Sequence, residues 1–235
     1  MSEKKNASLQ KAGSGAVDAF LEKMGGLARV EAAGTRGRLF FAMDATASRK
    51  PTWTQAREIQ SEMFSAAADN LEVQLGFYRG RDEFKVSKWL HEADRLQRAI
   101  RAVDCVGGLT QIARVLRYAA EQHRRERIHA LIFVGDVVEE PVDELCHLAG
   151  ELGLLGLPMF VFHEGGEREA AMAFQQMARL SGGAYCAFDL SSPDQLRRLL
   201  GAVAAFASGG RKALTNYADA KGGSARLLLA NLAPR

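Results

Sequence analysis

The stretch RLFFAMDATAS, residues 38–48, decides the fold, because a short apolar run there ends in an acid and two hydroxyls. The run from Arg38 to Asp44 is typical of a buried strand followed by a polar turn. A second apolar run, IHALIFVG at residues 128–135, also stops directly before an acid, Asp136. The two runs therefore predict two strands of one sheet, each with an acid at its carboxyl end.

Helical and strand patterns alternate around these two runs. Period-two or continuous apolar patterns predict strands at 38–44, 71–78, 83–89, 128–135, 157–163 and 184–188. Amphipathic patterns predict helices at 54–70, 90–103, 110–122, 142–152, 169–180 and 192–207. The alternation predicts an α/β fold, a Rossmann-like three-layer sandwich with helices on both faces of a mostly parallel sheet. The turn Arg79-Gly80-Arg81-Asp82 predicts a hairpin, which adds one antiparallel edge strand.

The predicted sheet and its helices form one domain over residues 36–208. Residues 1–35 are expected to be a polar tail and an amphipathic helix, and residues 209–235 a C-terminal tail. Phe20, Leu21 and Met24 share one face of that first helix. Two interpretations of this face stay open, packing against the domain and binding of a partner.

The composition excludes several classes of protein. The chain has 235 residues, 47% of them hydrophobic and 25% charged, which suits a soluble domain with its own core. The net charge of +3 is too small to indicate nucleic acid, and the basic run at 123–127 stands where cations favour the end of a helix. Three widely spaced cysteines, no signal sequence and no apolar stretch of about 18 residues indicate a cytoplasmic protein without a membrane span.

Five oxygen-bearing side chains follow predicted strands or precede a predicted helix at one edge of the sheet. In open parallel sheets, ligands bind beyond the carboxyl ends of the strands. Hydroxyl and carboxylate oxygens are hard ligands, which suit Mg²⁺ or Mn²⁺. Any one of these residues alone could equally cap a helix, but all five together favour a metal site. The predicted metal ligands are Asp44, Thr46, Ser48, Thr110 and Asp136.

This arrangement resembles the metal ion-dependent adhesion site (MIDAS) of von Willebrand factor A domains, which has the pattern DxSxS, then a distant Thr and a distant Asp. The resemblance covers about residues 36–208 and includes a helix–Gly-Gly–strand passage at 178–185. Thr46 replaces the commoner Ser but keeps the hydroxyl. Gly135 stands where the family usually has Thr, and Val137 where it usually has Gly, so the loop around Asp136 is expected to differ from the family.

The resemblance implies a function in binding rather than catalysis. In the family, hydroxyls coordinate the metal directly, the acids often act through water, and a partner supplies a carboxylate. Bacterial-type intracellular members with a single domain look like adaptors for larger assemblies, including AAA+ ATPases of the chelatase and MoxR types. The resemblance therefore implies a metal-dependent adaptor that binds an Asp or Glu of a protein partner, with no catalytic residue. The low net charge and the lack of a long apolar stretch predict no nucleic-acid and no membrane partner.

Two other functions stay open at this point. A sheet-edge Asp with Mg²⁺ could serve a hydrolase or phosphatase. Haloacid dehalogenase-like phosphatases use DxDxT after the first strand, but Thr46 stands where the second Asp would be, and the chain has no P-loop and no GxSxG motif. The third possibility is a structural protein in which a metal only stabilises the fold.

Three further residues near this edge have two interpretations each. His163 and Glu164 follow the predicted strand 157–163, where they would contact a partner or the ligands of the metal, or else lie in a solvated loop. Trp53 comes shortly after the DxTxS motif. It would line the rim of the binding face or cover the start of the next helix.

Overall fold

The computed structural model describes residues 37–51, 53–54 and 71–188, and, further along the chain, residues 201–203, 205–207, 209, 212–213, 215–217 and 219–220. The predicted N-terminal helix lies outside the described residues. So do nearly all of the predicted helix 54–70 and the first part of the predicted helix 192–207.

Six strands form one sheet in the order β3-β2-β1-β4-β5-β6. Strand β3 is antiparallel to β2, and all other neighbours are parallel. This confirms the predicted mostly parallel sheet with one antiparallel edge strand. The strands are β1 (Gly37–Asp44), β2 (Leu71–Arg79), β3 (Glu83–Val86), β4 (Ala130–Gly135), β5 (Met159–Glu164) and β6 (Ala184–Phe188).

Helices cover both faces of this sheet, which confirms the three-layer architecture. Side chains of α2, α3 and α4 pack with one face, while α1 packs with the other, together with Ala202, Val203, Phe206 and Ala207. Burial on both faces explains why all residues of β4 and β5 are buried and why their sequences are continuously apolar. The helices are α1 (Ala93–Arg101), α2 (Ile112–Arg125), α3 (Val142–Leu155) and α4 (Arg168–Leu180). No helix in the described part of the chain is long and apolar enough to cross a bilayer.

Helical residues continue beyond residue 208. Phe206 packs edge-on against Phe160 of β5, with the ring centroids 6.1 Å apart. Tyr217 lies so close to Gly201 that a Cβ there would stand 2.2 Å from the Tyr217 hydroxyl. The described residues between 209 and 220 are helical too, within the segment that the sequence analysis treats as a tail. The predicted domain boundaries stay a prediction.

Several boundaries differ from the predictions by one to three residues, and at two of them a side chain or an isolated bridge replaces regular pairing. Strand β3 was predicted to reach 89 but ends at Val86. The hydroxyl of Ser87 accepts the N–H of Leu75 at 3.0 Å, in place of a backbone carbonyl. Helix α1 was predicted from 90 but begins at Ala93, because Leu90 forms a bridge with Val73 through two backbone hydrogen bonds of 2.7 and 2.8 Å.

Candidate metal centre

The DxTxS segment turns sharply at the carboxyl end of β1. Asp44 is fully buried, and its Oδ1 accepts the backbone N–H of Thr46 at 2.7 Å. This local bond makes an Asx turn, which bends the chain back over the sheet edge. A single 3₁₀ turn, Ala47–Arg49, follows. The turn brings the hydroxyl oxygens of Thr46 and Ser48 to 3.0 Å from each other, so two predicted ligands are adjacent.

Tyr78 holds the other oxygen of Asp44. The parallel register of β1 and β2 places these two residues side by side, and the Tyr78 hydroxyl donates to Asp44 Oδ2 at 2.9 Å. Burial raises the pKa of Asp44 above its usual 3.8, while the charge of Arg49 acts in the opposite direction. Burial and the Asp44 charge raise the pKa of Tyr78 well above 10, so the phenol stays protonated and remains a donor. The sequence analysis did not single out Tyr78.

Asp136 follows β4 and carries a buried oxygen that is available for a cation. Its Oδ1 is buried and has no hydrogen-bond partner among the described residues. Burial is the main cause that raises the pKa of Asp44, and the negative charge of Asp136 acts in the same direction. A buried polar atom without a partner is costly and calls for a specific explanation, and an ion is one of the few.

Gly135, one of the departures from the family pattern, has a steric cause. A Cβ at this position would lie 2.9 Å from the ring of Phe133 and 3.6 Å from the Cβ of Asp44. The close packing of Phe133 against the backbone therefore leaves no room for the family's usual Thr, and it brings the end of β4 against Asp44.

His163 fixes the backbone of Asp136. It is buried in β5, where its Nε2 lies 3.0 Å from the carbonyl oxygen of Asp136 and its Nδ1 lies 2.9 Å from the Tyr185 hydroxyl. Because a carbonyl only accepts, Nε2 carries the proton. Burial lowers the pKa of His163, so the neutral ring then accepts the Tyr185 O–H at Nδ1. The solvated-loop interpretation of His163 is thus wrong.

Thr110 and the start of α2 are joined to the Asp136 loop by two neighbouring glutamates, which the sequence analysis missed. The N–H of Thr110 donates to Glu139 Oε2 at 2.8 Å, and the N–H of Glu139 donates back to Thr110 Oγ1 at 3.1 Å. Glu140 accepts the N–H groups of Ile112 and Ala113 at 2.5 and 2.9 Å. The residue before α2 makes no capping hydrogen bond with its side chain. These two carboxylates, which lie 27 to 29 positions further along the sequence, accept the backbone N–H groups at the start of the helix instead.

A buried ion pair supports the DxTxS turn from below. The Arg49 side chain is 0% exposed, and its Nε and Nη2 donate to Glu164 Oε2 at 3.0 and 2.6 Å. Its Nη1 donates to the carbonyl of Asp44 at 2.5 Å. The guanidinium lies 5.1 Å from the centre of the Trp53 ring, and the Trp53 indole N–H donates to the Val103 carbonyl at 2.8 Å. Trp53 is therefore buried rather than part of an exposed rim, and the solvated-loop interpretation of Glu164 is wrong.

The side chains at this edge fit a hard divalent cation. Among the described residues, no group of three or more His, Cys, Asp and Glu could hold a metal ion. Arg49 is paired with Glu164, and the two predicted acidic ligands stand at the ends of neighbouring strands, Asp44 at the end of β1 and Asp136 directly after β4. Two acids with neutral hydroxyl oxygens suit Mg²⁺ or Mn²⁺ in charge and hardness. The assignment of all five residues as ligands stays a prediction.

Several solved structures share this architecture at low sequence identity. The chain matches the SpRpn10 VWA domain at a TM-score of 0.56 and 11% identity, over 71% of this chain and 94% of that one. It matches proximal thread matrix protein 1 of the mussel byssus, solved with a zinc-occupied MIDAS motif, at 0.60 and 13%, over 75% of this chain and 48% of that one. It matches the human COPII-coat protein Sec24c at 0.52 and 12%, over 71% and 32%.

The likeness lies in the three-dimensional structure rather than in the sequence. No sequence-family model matches the chain, and no curated protein sequence matches it. The chain spans nearly the whole of the SpRpn10 domain but about half or less of the other two. With the sheet order, the helical layers and the DxTxS turn in place, the chain has the fold of the von Willebrand factor A domains.

Proposed function

We propose that this protein is a metal-dependent protein-binding module, an adaptor that recognises a carboxylate of its partner through Mg²⁺ or Mn²⁺ at the sheet edge. The observation that carries the proposal is the buried Asp136 Oδ1, which has no hydrogen-bond partner in the described part of the chain. It belongs to the same edge as the adjacent hydroxyls of Thr46 and Ser48. A cation would satisfy that oxygen and use the hydroxyls as neutral ligands.

The proposed ligands divide into two groups by what the chain already does with them. Both oxygens of Asp44 accept hydrogen bonds from the protein, so this acid is suited to hold the turn in shape and to act on a metal through water. Thr46, Ser48 and Thr110 supply neutral oxygens. A metal held mainly by neutral ligands keeps much of its positive charge and attracts an anionic group from a partner.

The hydrolase alternative receives less support from the same geometry. Asp44 is fully buried and both its oxygens are engaged, so it is poorly placed to attack a phosphorus atom. The N-terminus of α2, which would otherwise attract a phosphate, is filled by Glu139 and Glu140. The named structural neighbours are a VWA domain, a thread matrix protein and a coat protein.

The proposed partner is a protein that presents Asp or Glu, such as an AAA+ ATPase or a subunit of a large assembly. Support comes from the neighbours, of which one is a coat protein and another carries an occupied MIDAS motif. The proposed setting is the cytoplasm, where Mg²⁺ is available and the cysteines stay reduced.

The first experiment measures metal binding directly. We expect Mn²⁺ to bind wild-type protein in electron paramagnetic resonance titrations, Mg²⁺ to compete, and Asp136→Asn to abolish binding. The matched control is Asp94→Asn, which removes an exposed acid of α1. Equal Mn²⁺ binding by wild type and Asp136→Asn would refute the site.

The second experiment tests whether the metal serves recognition. Wild-type protein is used as bait in a native lysate with Mg²⁺ and with EDTA, beside Asp44→Ala and Asp136→Ala. We expect a partner that is retained only by wild type in Mg²⁺. Retention in every lane would mean that binding does not use the metal. Metal-dependent cleavage of a generic phosphate ester, lost in Asp44→Asn, would establish the hydrolase instead.

A further inference from the structure

We infer that Glu139 is a positioning residue for the metal centre, because it holds Thr110 in one orientation before a cation arrives. This inference rests on the proposed function, since the orientation of Thr110 matters to a ligand only if a cation binds at this edge. It adds a residue outside the predicted ligand set to the groups that determine the affinity for the cation.

Glu139 contacts Thr110 through two hydrogen bonds that run in opposite directions, which we call the bracket. The N–H of Thr110 donates to Glu139 Oε2 at 2.8 Å, and the N–H of Glu139 donates to Thr110 Oγ1 at 3.1 Å. Thr110 is 5% exposed, whereas Glu139 is exposed. The bracket therefore joins a buried hydroxyl to a residue at the surface of the protein.

The bracket leaves the Thr110 hydroxyl able to bind a cation. A hydroxyl oxygen has two lone pairs and one proton. The N–H of Glu139 occupies one lone pair and restricts rotation of the side chain, while the oxygen keeps a second lone pair for a metal. Thr110 can therefore accept this hydrogen bond and act as a neutral ligand at the same time. A side chain held in this way loses little rotational freedom when the metal binds.

The other two predicted hydroxyl ligands are oriented in a different way. Thr46 and Ser48 lie on one turn, where their oxygens are 3.0 Å apart and one hydroxyl donates to the other. Thr110 lies on the loop before α2, and its hydroxyl accepts the N–H of Glu139 instead. Each predicted hydroxyl ligand thus has a neighbouring group that orients it, and Glu139 is that group for Thr110.

The bracket lies where the segments that carry the predicted ligands are joined. The N–H of Val106, in the same loop as Thr110, donates to the carbonyl of Ala45 in the DxTxS turn at 3.0 Å. Glu139 belongs to the loop that starts with Asp136. The loop before α2 is thus tied to the DxTxS turn at Val106 and to the Asp136 loop at Thr110. A change at Glu139 therefore affects the placement of Thr110 relative to the acid of that loop.

Capping of α2 is a separate role, which belongs to Glu140. The carboxylate of Glu140 accepts the N–H groups of Ile112 and Ala113, the first two residues of the helix. Thr110 lies two positions before Ile112 and outside the helix, and its N–H donates to Glu139. The two neighbouring glutamates therefore act on different groups. Glu140 stabilises the start of α2, and Glu139 positions a predicted ligand.

The first test measures the bracket without metal, by amide hydrogen exchange in the NMR spectrum of the full-length protein with EDTA. We expect the Thr110 N–H to be protected in wild type and in Glu139→Gln, which keeps one acceptor oxygen. Protection should be lost in Glu139→Ala. The matched control is Glu144→Ala, which removes an exposed glutamate in the first turn of α3 and should leave Thr110 protected. Equal protection in Glu139→Ala and wild type would overturn the bracket.

The second test measures Mn²⁺ affinity by electron paramagnetic resonance titration of the same four proteins. We expect Glu139→Ala to weaken Mn²⁺ binding at least about tenfold, as is typical when a group that orients a metal ligand is lost. Glu139→Gln keeps the hydrogen bond and should bind Mn²⁺ like wild type, and Glu144→Ala should do so too. Equal weakening in Glu139→Gln and Glu139→Ala would mean that the charge of the carboxylate matters rather than its hydrogen bond, and the positioning role would be wrong.

A third readout separates positioning from a general loss of structure. The relaxation of water protons at saturating Mn²⁺ reports how many exchangeable waters the bound ion carries. If Thr110 no longer ligates the ion, a water takes its place, so Glu139→Ala should show about one water more than wild type. Thr110→Ala should show the same gain, and Glu139→Gln should show none. An unchanged number of waters in Glu139→Ala would overturn the positioning role even if the affinity falls.

The outcomes separate the role of Glu139 from the metal function. Mn²⁺ binding of equal strength in wild type and Glu139→Ala would overturn the role of Glu139 and leave the metal function standing. No Mn²⁺ binding in wild type would overturn both. Glu140→Ala should lower the stability but keep the Mn²⁺ affinity and the water number of wild type. If it matches Glu139→Ala in both, the two glutamates act together through α2, and a separate positioning role is refuted.

Discussion

Among single changes at this sheet edge that leave all five predicted ligands in the sequence, replacing Arg49 by Met is expected to be the most damaging. The guanidinium is fully buried and makes three short hydrogen bonds, two to Glu164 and one to the carbonyl of Asp44. Met preserves much of the aliphatic volume but removes the positive charge that lies against the buried Glu164 carboxylate. The carbonyl of Asp44 also loses the donor that holds it.

The magnitude follows from the burial of the pair. Removing one partner of a buried ion pair typically costs about 3–5 kcal/mol, whereas replacing both partners by uncharged groups is often close to neutral. Arg49→Met should therefore lower the free energy of unfolding by about 3–5 kcal/mol. The double variant Arg49→Met/Glu164→Gln should recover at least about half of that loss, because both charges of the pair are then removed together.

The assay is urea unfolding followed by circular dichroism, without divalent metal and with EDTA, for wild type, both single variants and the double variant. The exposed pair of Arg117 and Glu144 supplies the matched control, and Arg117→Met should cost no more than about 1 kcal/mol. A loss below about 1 kcal/mol for Arg49→Met would refute the reasoning. A double variant less stable than either single variant would refute it as well.

Three further predictions concern residues outside the predicted ligand set. Gly108→Ala should lower the free energy of unfolding in urea by about 1–3 kcal/mol, because its Cβ would lie 1.8 Å from the Gly80 carbonyl oxygen. Gly107→Ala is the control and should be as stable as wild type, because the nearest atom to its Cβ is 3.9 Å away. Glu140→Ala should lower the free energy of unfolding by about 1–2 kcal/mol, because two N–H groups at the start of α2 lose their acceptor. Glu140→Gln keeps one acceptor oxygen and should lose less stability. Equal losses in the two variants would contradict this reasoning. Burial lowers the pKa of His129 below 6.5, so the unfolded chain binds the proton more readily than the folded protein does. The free energy of unfolding should therefore fall as the pH drops below 6.5. A His129→Asn variant should show a smaller fall in its urea midpoint over that range.

The sheet could be predicted from the sequence because its strands are marked locally. The central strands are buried on both faces, and they read as apolar runs with no need of knowledge about their neighbours. The predicted end of β3 and the predicted start of α1 are wrong because backbone pairing with β2 decides both boundaries. The Ser87 hydroxyl replaces a carbonyl in the ladder with β2, and the bridge of Leu90 to Val73 delays the start of α1. Neither event has a signature in the nearby sequence.

The candidate site could be predicted only in part, for a related reason. The DxTxS motif is local, and its hydroxyls meet because one Asx turn forms within five residues. The groups that hold the site are not local: Glu164 reaches Arg49 across 115 positions, and Tyr78 reaches Asp44 across 34. An arginine after a polar turn looks like a solvated cation in the sequence. Only the position of β5 in the folded structure, which carries Glu164, shows that Arg49 is enclosed.

The separation of Arg49 from Glu164 also sets an order of events during synthesis. Strand β5 is the fifth of six along the chain and pairs with β4, which in turn must lie beside β1. While residue 164 of a nascent chain has not yet emerged from the ribosome, the Arg49 guanidinium would have to be buried without the Glu164 carboxylate, which is unfavourable. Contacts between residues so far apart form late, after the closure of shorter loops. We therefore expect the turn that carries Asp44, Thr46 and Ser48 to reach its final form only after β5 has joined the sheet.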